Sequence, residues 1–197
     1  MQGSKIRLSP TEAALFSNAQ VILTKNSIIQ KTVQLLEEVQ AALVEKVPSV
    51  LQHAPPSPKI SKGENYLGLP YVILDYPRIA KEGNLYFIRS MFWWGNFYSS
   101  TLQLSGLYQT ASINTLSNAY EQLKEQSYFI GVNSDPWVHH FGTNNYQPIA
   151  ALSKDASRLI MEESPHIKIA ACWPLDQWNE AANNLVNSGK FLAGLVA

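Results

Sequence analysis

The 197-residue sequence has little of three things that reveal a protein's class: cysteine, charge and long apolar runs. Its single cysteine, Cys172, excludes an intramolecular disulfide and a zinc site built on several cysteines. No apolar run approaches the roughly 20 residues of a membrane-spanning helix, so we expect no membrane partner. The fifteen basic and fifteen acidic residues balance, which gives no electrostatic reason to expect a nucleic-acid partner.

Motifs and targeting signals are missing as well. The sequence has no GxxxxGK[ST] phosphate loop, no GxGxxG, no GxSxG, no HExxH and no CxxC. We therefore predict no cofactor and no metal site, although this leaves open whether the protein is an enzyme. The first residues lack the charged, apolar and small segments of a signal peptide, so we expect a cytoplasmic protein.

The shortage of charge is local. Charged residues make up 15% of the chain, where about 25% is usual. Residues 90–120 contain none, and residues 126–153 contain only Asp135. We favour burial of these segments in a central sheet, because core strands and the helices on them carry few charges. The alternatives are a neutral surface for a ligand or partner and the buried interface of a homo-oligomer.

Periodicity in the N-terminal part predicts helices. Ser9, Pro10 and Glu12 form a capping-box pattern at a helix start. A longer helix follows, in which Ile22, Ile29, Leu36 and Leu43 are spaced by seven, and we expect that face to pack on a sheet. Residues 48–65 hold four of the eleven prolines and predict an extended connector. We interpret residues 1–197 as one α+β domain with a helical part (1–47), this connector (48–65), and a sheet with its packing helices (66–197).

Three strands are predicted in the middle of the chain, at residues 71–76, 85–94 and 97–104, and residues 77–84 (PRIAKEGN) are expected to form a loop between the first two. A tight turn at Gly95-Asn96 joins the last two and fixes a trial antiparallel register. In this register Phe92, Ser90, Ile88 and Tyr86 face Tyr98, Ser100, Leu102 and Leu104. Met91, Arg89 and Phe87 face Ser99, Thr101 and Gln103 on the opposite side. The first face is mostly apolar and the second is mixed, as expected for a sheet with one covered side.

The remaining elements follow from the same patterns. We predict a helix over residues 112–126, a strand at 127–132 and a loop at 133–148 with a short strand at 137–141. A helix at 153–163, a buried strand at 167–173 and a last helix at 176–187 follow, with Gly189 just past the end of that helix. The apolar tail after Lys190 is expected to dock on the core.

The mixed face is our main candidate for function. Tryptophan and tyrosine side chains offer flat apolar surfaces with polar tips, which suits binding as well as packing. We hypothesise a non-catalytic binding module for a small polar molecule, such as a sugar or nucleoside, or for a protein partner. The alternative is that this face is a second core layer beneath the N-terminal helix. The candidate ligand-binding residues are Arg89, Trp93, Ser99, Thr101, Gln103 and Trp137.

The second hypothesis is a hydrolase or lyase with acid–base groups. Histidine can transfer protons or bind metals near neutral pH, and arginine suits a bound carboxylate or phosphate. In this hypothesis Arg89 holds the anion. Each residue also has a structural interpretation: Asp75 and Arg89 could form an ion pair, and the adjacent histidines could belong to a hydrogen-bonded or exposed loop. We expect no catalytic thiolate at Cys172, because its sequence neighbours include no base or cation. The catalytic candidates are Asp75, Asp135, His139 and His140.

Overall fold

The chain forms one α+β domain in which a seven-stranded antiparallel sheet carries α-helices, as the sequence predicts. This computed structural model describes residues 5–46 and 58–196. The strands are β1 (Lys59–Tyr66), β2 (Leu69–Lys81), β3 (Asn84–Trp93), β4 (Phe97–Ser105), β5 (Phe129–Gly131), β6 (Tyr146–Pro148) and β7 (Ile167–Pro174), in the order β1-β2-β3-β4-β7-β5-β6.

The described helices are α1 (Pro10–Phe16), α2 (Ala19–Lys46), α3 (Leu107–Asn118), α4 (Tyr120–Glu125), α5 (Lys154–Glu163) and α6 (Ala181–Ala193). Short 3-10 turns span Ile149–Ala151 and Leu175–Glu180. The predicted capping box at the start of α1 is confirmed: Ser9 and Glu12 bond to each other's backbone N–H groups. Among the described helices, none is long and apolar enough to cross a bilayer.

The predicted β3–β4 register is confirmed at every pair, from Phe92 opposite Tyr98 to Tyr86 opposite Leu104. The Gly95 backbone has φ of +69°, the left-handed conformation that glycine adopts without strain. The loop has three residues, Trp94, Gly95 and Asn96, because Trp93 is opposite Phe97. A two-residue turn at Gly95-Asn96 would pair Trp94 with Phe97, and this slip of one residue would set the apolar face of β3 against the polar face of β4.

One face of the sheet, which we call the helix face, forms the apolar core. Its side chains pack against Leu36, Val39 and Leu43 of α2 and against α3 and α6. Of the heptad-spaced residues of α2, Leu36 and Leu43 are almost fully buried and Ile29 is half-buried, whereas Ile22 is 48% exposed. The prediction of a packed face is therefore confirmed only for the C-terminal half of the helix. The sheet residues of this face include Val72, Leu74, Ile88, Leu102 and Ile169.

The opposite face, which we call the loop face, is covered by the chain between β5 and β6 rather than by α2. This covering loop consists of residues 132–145. One row of paired positions crosses the loop face from the edge of the sheet inward: Lys59, Asp75, Arg89, Thr101, Ala170 and Phe129. The alternative of a second core layer beneath the N-terminal helix is therefore wrong, because that helix lies on the other side.

The predicted burial of the charge-poor segments is confirmed for the strands within residues 90–120, but it is wrong for residues 126–153, most of which are exposed or half-buried because they include the covering loop. Residues 90–93 and 98–104 have buried side chains within β3 and β4. The low charge of this part of the chain follows from its central place in the sheet.

Four sequence predictions are wrong in detail. The predicted connector runs to residue 65, but residues 59–66 form edge strand β1. Residues 48–57 of the predicted connector lie outside the described part of the chain. The predicted loop after residue 76 is mostly strand, since β2 continues to Lys81. Residues 137–141 form no strand, and the predicted helix 112–126 is two helices, α3 and α4, that meet at Ala119.

The last helix also differs from its prediction. It continues through Gly189 to Ala193. Gly189 therefore does not end the helix, and its role is in packing. A Cβ atom at this position would lie 2.9 Å from a methyl carbon of Leu43, so the glycine lets α6 approach α2 closely. The tail docks as expected, with Leu195 and Val196 buried.

Candidate functional site

Asp75 and Arg89 form the floor of the candidate site. They are direct partners on β2 and β3, and their side chains are joined by two hydrogen bonds, from Arg89 Nε to Asp75 Oδ1 (2.7 Å) and from Arg89 Nη2 to Asp75 Oδ2 (2.8 Å). Both side chains are largely buried, with exposed fractions of 13% for Arg89 and 8% for Asp75. The ion-pair interpretation of the sequence is thus confirmed, and the pair uses both carboxylate oxygens of Asp75.

His139 reaches this pair from the covering loop. Its Nε2 atom lies 3.1 Å from Arg89 Nη1. Since a guanidinium can only donate, Nε2 is the acceptor and the imidazole proton lies on Nδ1. Burial, together with the positive charges of Arg89 and Lys168, lowers the pKa of His139 from 6.5 to about 3. The ring is therefore neutral at physiological pH.

Trp137 lies above the same guanidinium. The Arg89 Cζ atom is 5.6 Å from the centroid of the indole ring, which is a cation–π arrangement. The indole is half-exposed, at 50%. The turn that carries it is built from local polar contacts: Asp135 Oδ1 accepts from the Trp137 N–H, and Asn133 Oδ1 accepts from the Asp135 N–H.

Tyr66 and Asn145 hold the covering loop in place. The Tyr66 hydroxyl accepts the backbone N–H groups of His139 (2.7 Å) and His140 (3.1 Å). Asn145, fully buried, donates from Nδ2 to the carbonyls of Val138 (3.1 Å) and His140 (2.6 Å). The role of Tyr66 does not follow from a local sequence pattern, because this residue is more than 70 residues from its partners.

Lys168 is a buried cation beneath the loop. Its Nζ donates to the Val138 carbonyl and lies 4.8 Å from the centroid of the Tyr146 ring. Burial and the Arg89 charge lower the pKa of Lys168 from 10.5 to about 8, while Asp135 opposes this shift. Tyr146 in turn stacks on Phe141 at 4.5 Å, so that the loop is fixed by aromatic packing as well.

Two concave compartments share Trp137, Ile73 and Arg89 in their walls. The aromatic compartment has a volume of about 330 Å³ and is lined by Tyr66, Tyr71, Ile73, Arg89, Met91, Trp137 and His139. The cationic compartment has a volume of about 340 Å³, and its polar and charged lining residues are Lys59, Ser61, Asp75, Arg78 and Arg89.

Of the predicted ligand-binding residues, Arg89 and Trp137 line both compartments, whereas four others lie beneath the surface. Trp93 is 6% exposed and donates from Nε1 to the Tyr66 carbonyl. Ser99, Thr101 and Gln103 are also buried, and none of the four lines either compartment. They support the floor of the site.

The predicted catalytic candidates are divided. Asp75 and His139 meet at Arg89, whereas Asp135 and His140 line neither compartment. His140 Nδ1 accepts the Gly142 N–H within the loop.

Burial raises the pKa of the Cys172 thiol to about 11, so it is protonated at neutral pH. Among residues 5–46 and 58–196, no three His, Cys, Asp or Glu side chains are grouped as a metal site requires.

Comparison of the chain with protein-family models, curated proteins and solved structures gives no match. The geometry and chemistry of the two compartments are therefore the basis for proposing a function.

Proposed function

We propose that the protein is a non-catalytic binding module that takes a small polar ligand into the two compartments beside Trp137. The observation that carries this proposal is a pair of concave spaces with a shared wall, in which a half-exposed indole lies over a fixed guanidinium. Ligand sites commonly combine apolar and aromatic walls with a few positioned polar groups. The concave shape favours a small molecule over a protein partner.

The hydrogen bonding at the floor supports binding rather than acid–base catalysis. A general base needs a free lone pair and a pKa near the working pH. The neutral His139 imidazole has one ring lone pair, on Nε2, and it already accepts from Arg89. The Asp75 carboxylate keeps further lone pairs, but both of its oxygens are bonded to the same guanidinium. With its pKa lowered to about 3, His139 is also a poor proton acceptor near pH 7.

The rigidity of the site supports the same proposal. Arg89, His139 and Trp137 are held by the Asp75 carboxylate, the Tyr66 hydroxyl and the Asp135 turn, all before any ligand arrives. Pre-organised side chains lose little conformational entropy on binding, which increases affinity.

The test is a thermal-shift screen of sugars, nucleosides and small carboxylic acids with the wild type and Trp137→Ala. A compound at 100 times its dissociation constant adds about 2.7 kcal/mol, which raises the midpoint by several degrees in a domain of this size. We expect Trp137→Ala to lose the shift. The matched control is Leu159→Ala, another half-exposed apolar residue (51%), which lies on α5 and lines neither compartment. A hit that shifts all three proteins equally would contradict the proposed site.

A further inference from the structure

The cationic compartment holds positive charge that the protein does not neutralise. Lys59 and Arg78 line it, and neither forms an ion pair with any described residue. Among the described residues that line it, Asp75 is the only carboxylate, and Arg89 already engages both of its oxygens. Arg78 lies over the Phe87 ring, with Cζ 5.9 Å from the centroid, which keeps the guanidinium at the compartment wall. The compartment therefore has two cations without an anion.

The strand pairing explains why these charges share one side of the sheet. Lys59 is opposite Asp75 on β1 and β2, and Arg78 is opposite Phe87 on β2 and β3. Directly paired residues point to the same face, so both cations lie on the loop face with Arg89. Their position is set by the register and not by flexible loop residues.

The polar groups of the aromatic compartment also favour an acceptor ligand. Arg89 can only donate, and its bonds to Asp75 and His139 use three of its five N–H groups. The Tyr66 oxygen already accepts two backbone N–H groups, which leaves its own O–H as the group to donate. A ligand that meets these residues satisfies them best with carboxylate, phosphate or carbonyl oxygens.

We propose that the ligand is an aromatic acid: a planar ring that carries a carboxylate or a phosphate. This inference rests on the proposed function and gives its ligand class. The ring packs in the aromatic compartment against Trp137 and Tyr66, and the anionic group lies against Lys59 and Arg78 in the cationic compartment, which shares Trp137 and Arg89 with the first. Arginine binds either anion through paired N–H groups, so the shared chemistry is an anionic oxygen cluster on a flat ring.

Isothermal titration of the full chain with two matched ligand pairs tests the proposal. Indole-3-acetate and indole-3-acetamide differ in a carboxylate, and adenosine 5′-monophosphate and adenosine differ in a phosphate. We expect the anionic member of at least one pair to bind about tenfold or more tightly than its neutral partner, since charge-assisted hydrogen bonds are the stronger kind. The pair that shows the preference identifies the anion as carboxylate or phosphate.

Variants assign that preference to the two free cations. The double variant Lys59→Gln with Arg78→Gln should remove the preference for the anionic member while the neutral member binds as before. Lys81→Gln is the control, because Lys81 ends β2 with a side chain that is 80% exposed and lines neither compartment. If the double variant does not fold, each single variant should reduce the preference by itself.

Two results would overturn the aromatic-acid proposal in different ways. If both members of each pair bind equally and Trp137→Ala abolishes binding, the two compartments bind ligands but do not select anions, and the proposed function stands. If none of the four compounds binds at concentrations up to about 10 mM, the ligand class is wrong. The wider screen with Trp137→Ala then decides the binding function independently.

Discussion

The two faces of the sheet are built by different kinds of interaction. The helix face is closed by apolar side chains such as Leu102 and Leu36, which need only fit together. The loop face is closed by an ion pair, a neutral histidine and a buried lysine, each of which must meet a specific partner. Apolar packing fills the space on the first face, whereas directional contacts leave two compartments on the second. Apolar packing and directional polar contacts thus lie on opposite sides of the same strands, and the proposed ligand site is on the second.

The largest expected effect comes from breaking the Asp75–Arg89 pair. Asp75→Ala leaves a buried guanidinium without its carboxylate and should lower the free energy of unfolding by about 3–5 kcal/mol. Because Arg89 also orients His139 and Trp137, amide exchange in the covering loop should become much faster. Urea unfolding and hydrogen exchange measure the two effects.

The matched control is the double variant Asp75→Leu with Arg89→Met, which removes both charges. Replacing a buried ion pair with apolar residues is often neutral or stabilising, so most of the lost stability should return. The covering loop should remain in fast exchange, because His139 has still lost its donor. A loop as protected as in the wild type would show that the pair does not position it.

On the helix face, Leu102→Ala should lower the free energy of unfolding of the whole domain without selectively loosening the covering loop. Leu102 is fully buried, and a Leu→Ala change in a core destabilises by about 3 kcal/mol through lost burial and the cavity it leaves. We expect loop protection relative to the rest of the domain to stay unchanged, and ligand binding to persist. Selective loss of protection in the covering loop would contradict the division between the two faces.

The smallest expected effect is a pH dependence due to Lys168. Its folded-state pKa of about 8 lies below the usual value of 10.5, so the unfolded chain binds more protons between these values. Stability therefore rises with pH over this window, by about 2–3 kcal/mol, as the buried lysine loses its charge. Lys168→Met should lack this rise in urea unfolding series from pH 8 to pH 10.5.

The control for Lys168→Met is Lys81→Met, which removes an exposed positive charge. We expect this variant to retain the wild-type rise. If Lys168→Met shows the same pH dependence as the wild type, other groups cause the rise and the buried lysine has no special role.

Local pattern explains how much of this structure could be predicted from the sequence. The turn at Gly95 fixes the β3–β4 register. Only the pairing of β2 with β3 is then needed to place Asp75 opposite Arg89. Strand β1 was missed because KISKGENY is polar and only half-buried at the sheet edge, so it lacks clear alternation. The Tyr66 contacts to the covering loop depend on chain segments far apart, which no local period can show.

Only part of the candidate site could be predicted, because local alternation does not show contacts between distant chain segments. Alternation along a strand indicates which residues share a face, and it correctly groups Arg89 with Thr101 and Gln103. It cannot show which of them a distant loop will cover. Trp93 and Gln103 are therefore buried beneath the site, whereas Lys59 and Arg78, which the sequence reasoning missed, line its cationic compartment.

The two outer strands have a consequence for aggregation. An exposed sheet edge is a template on which further strands can add. In this protein β1 carries Lys59 and Lys62 and has an irregular register between Gly63 and Tyr66, while β6 is three residues long and ends in Pro148, which has no N–H to donate. Growth of fibrils by edge-to-edge pairing is thus opposed at both ends of the sheet, in a chain whose low overall charge would otherwise give little protection against it.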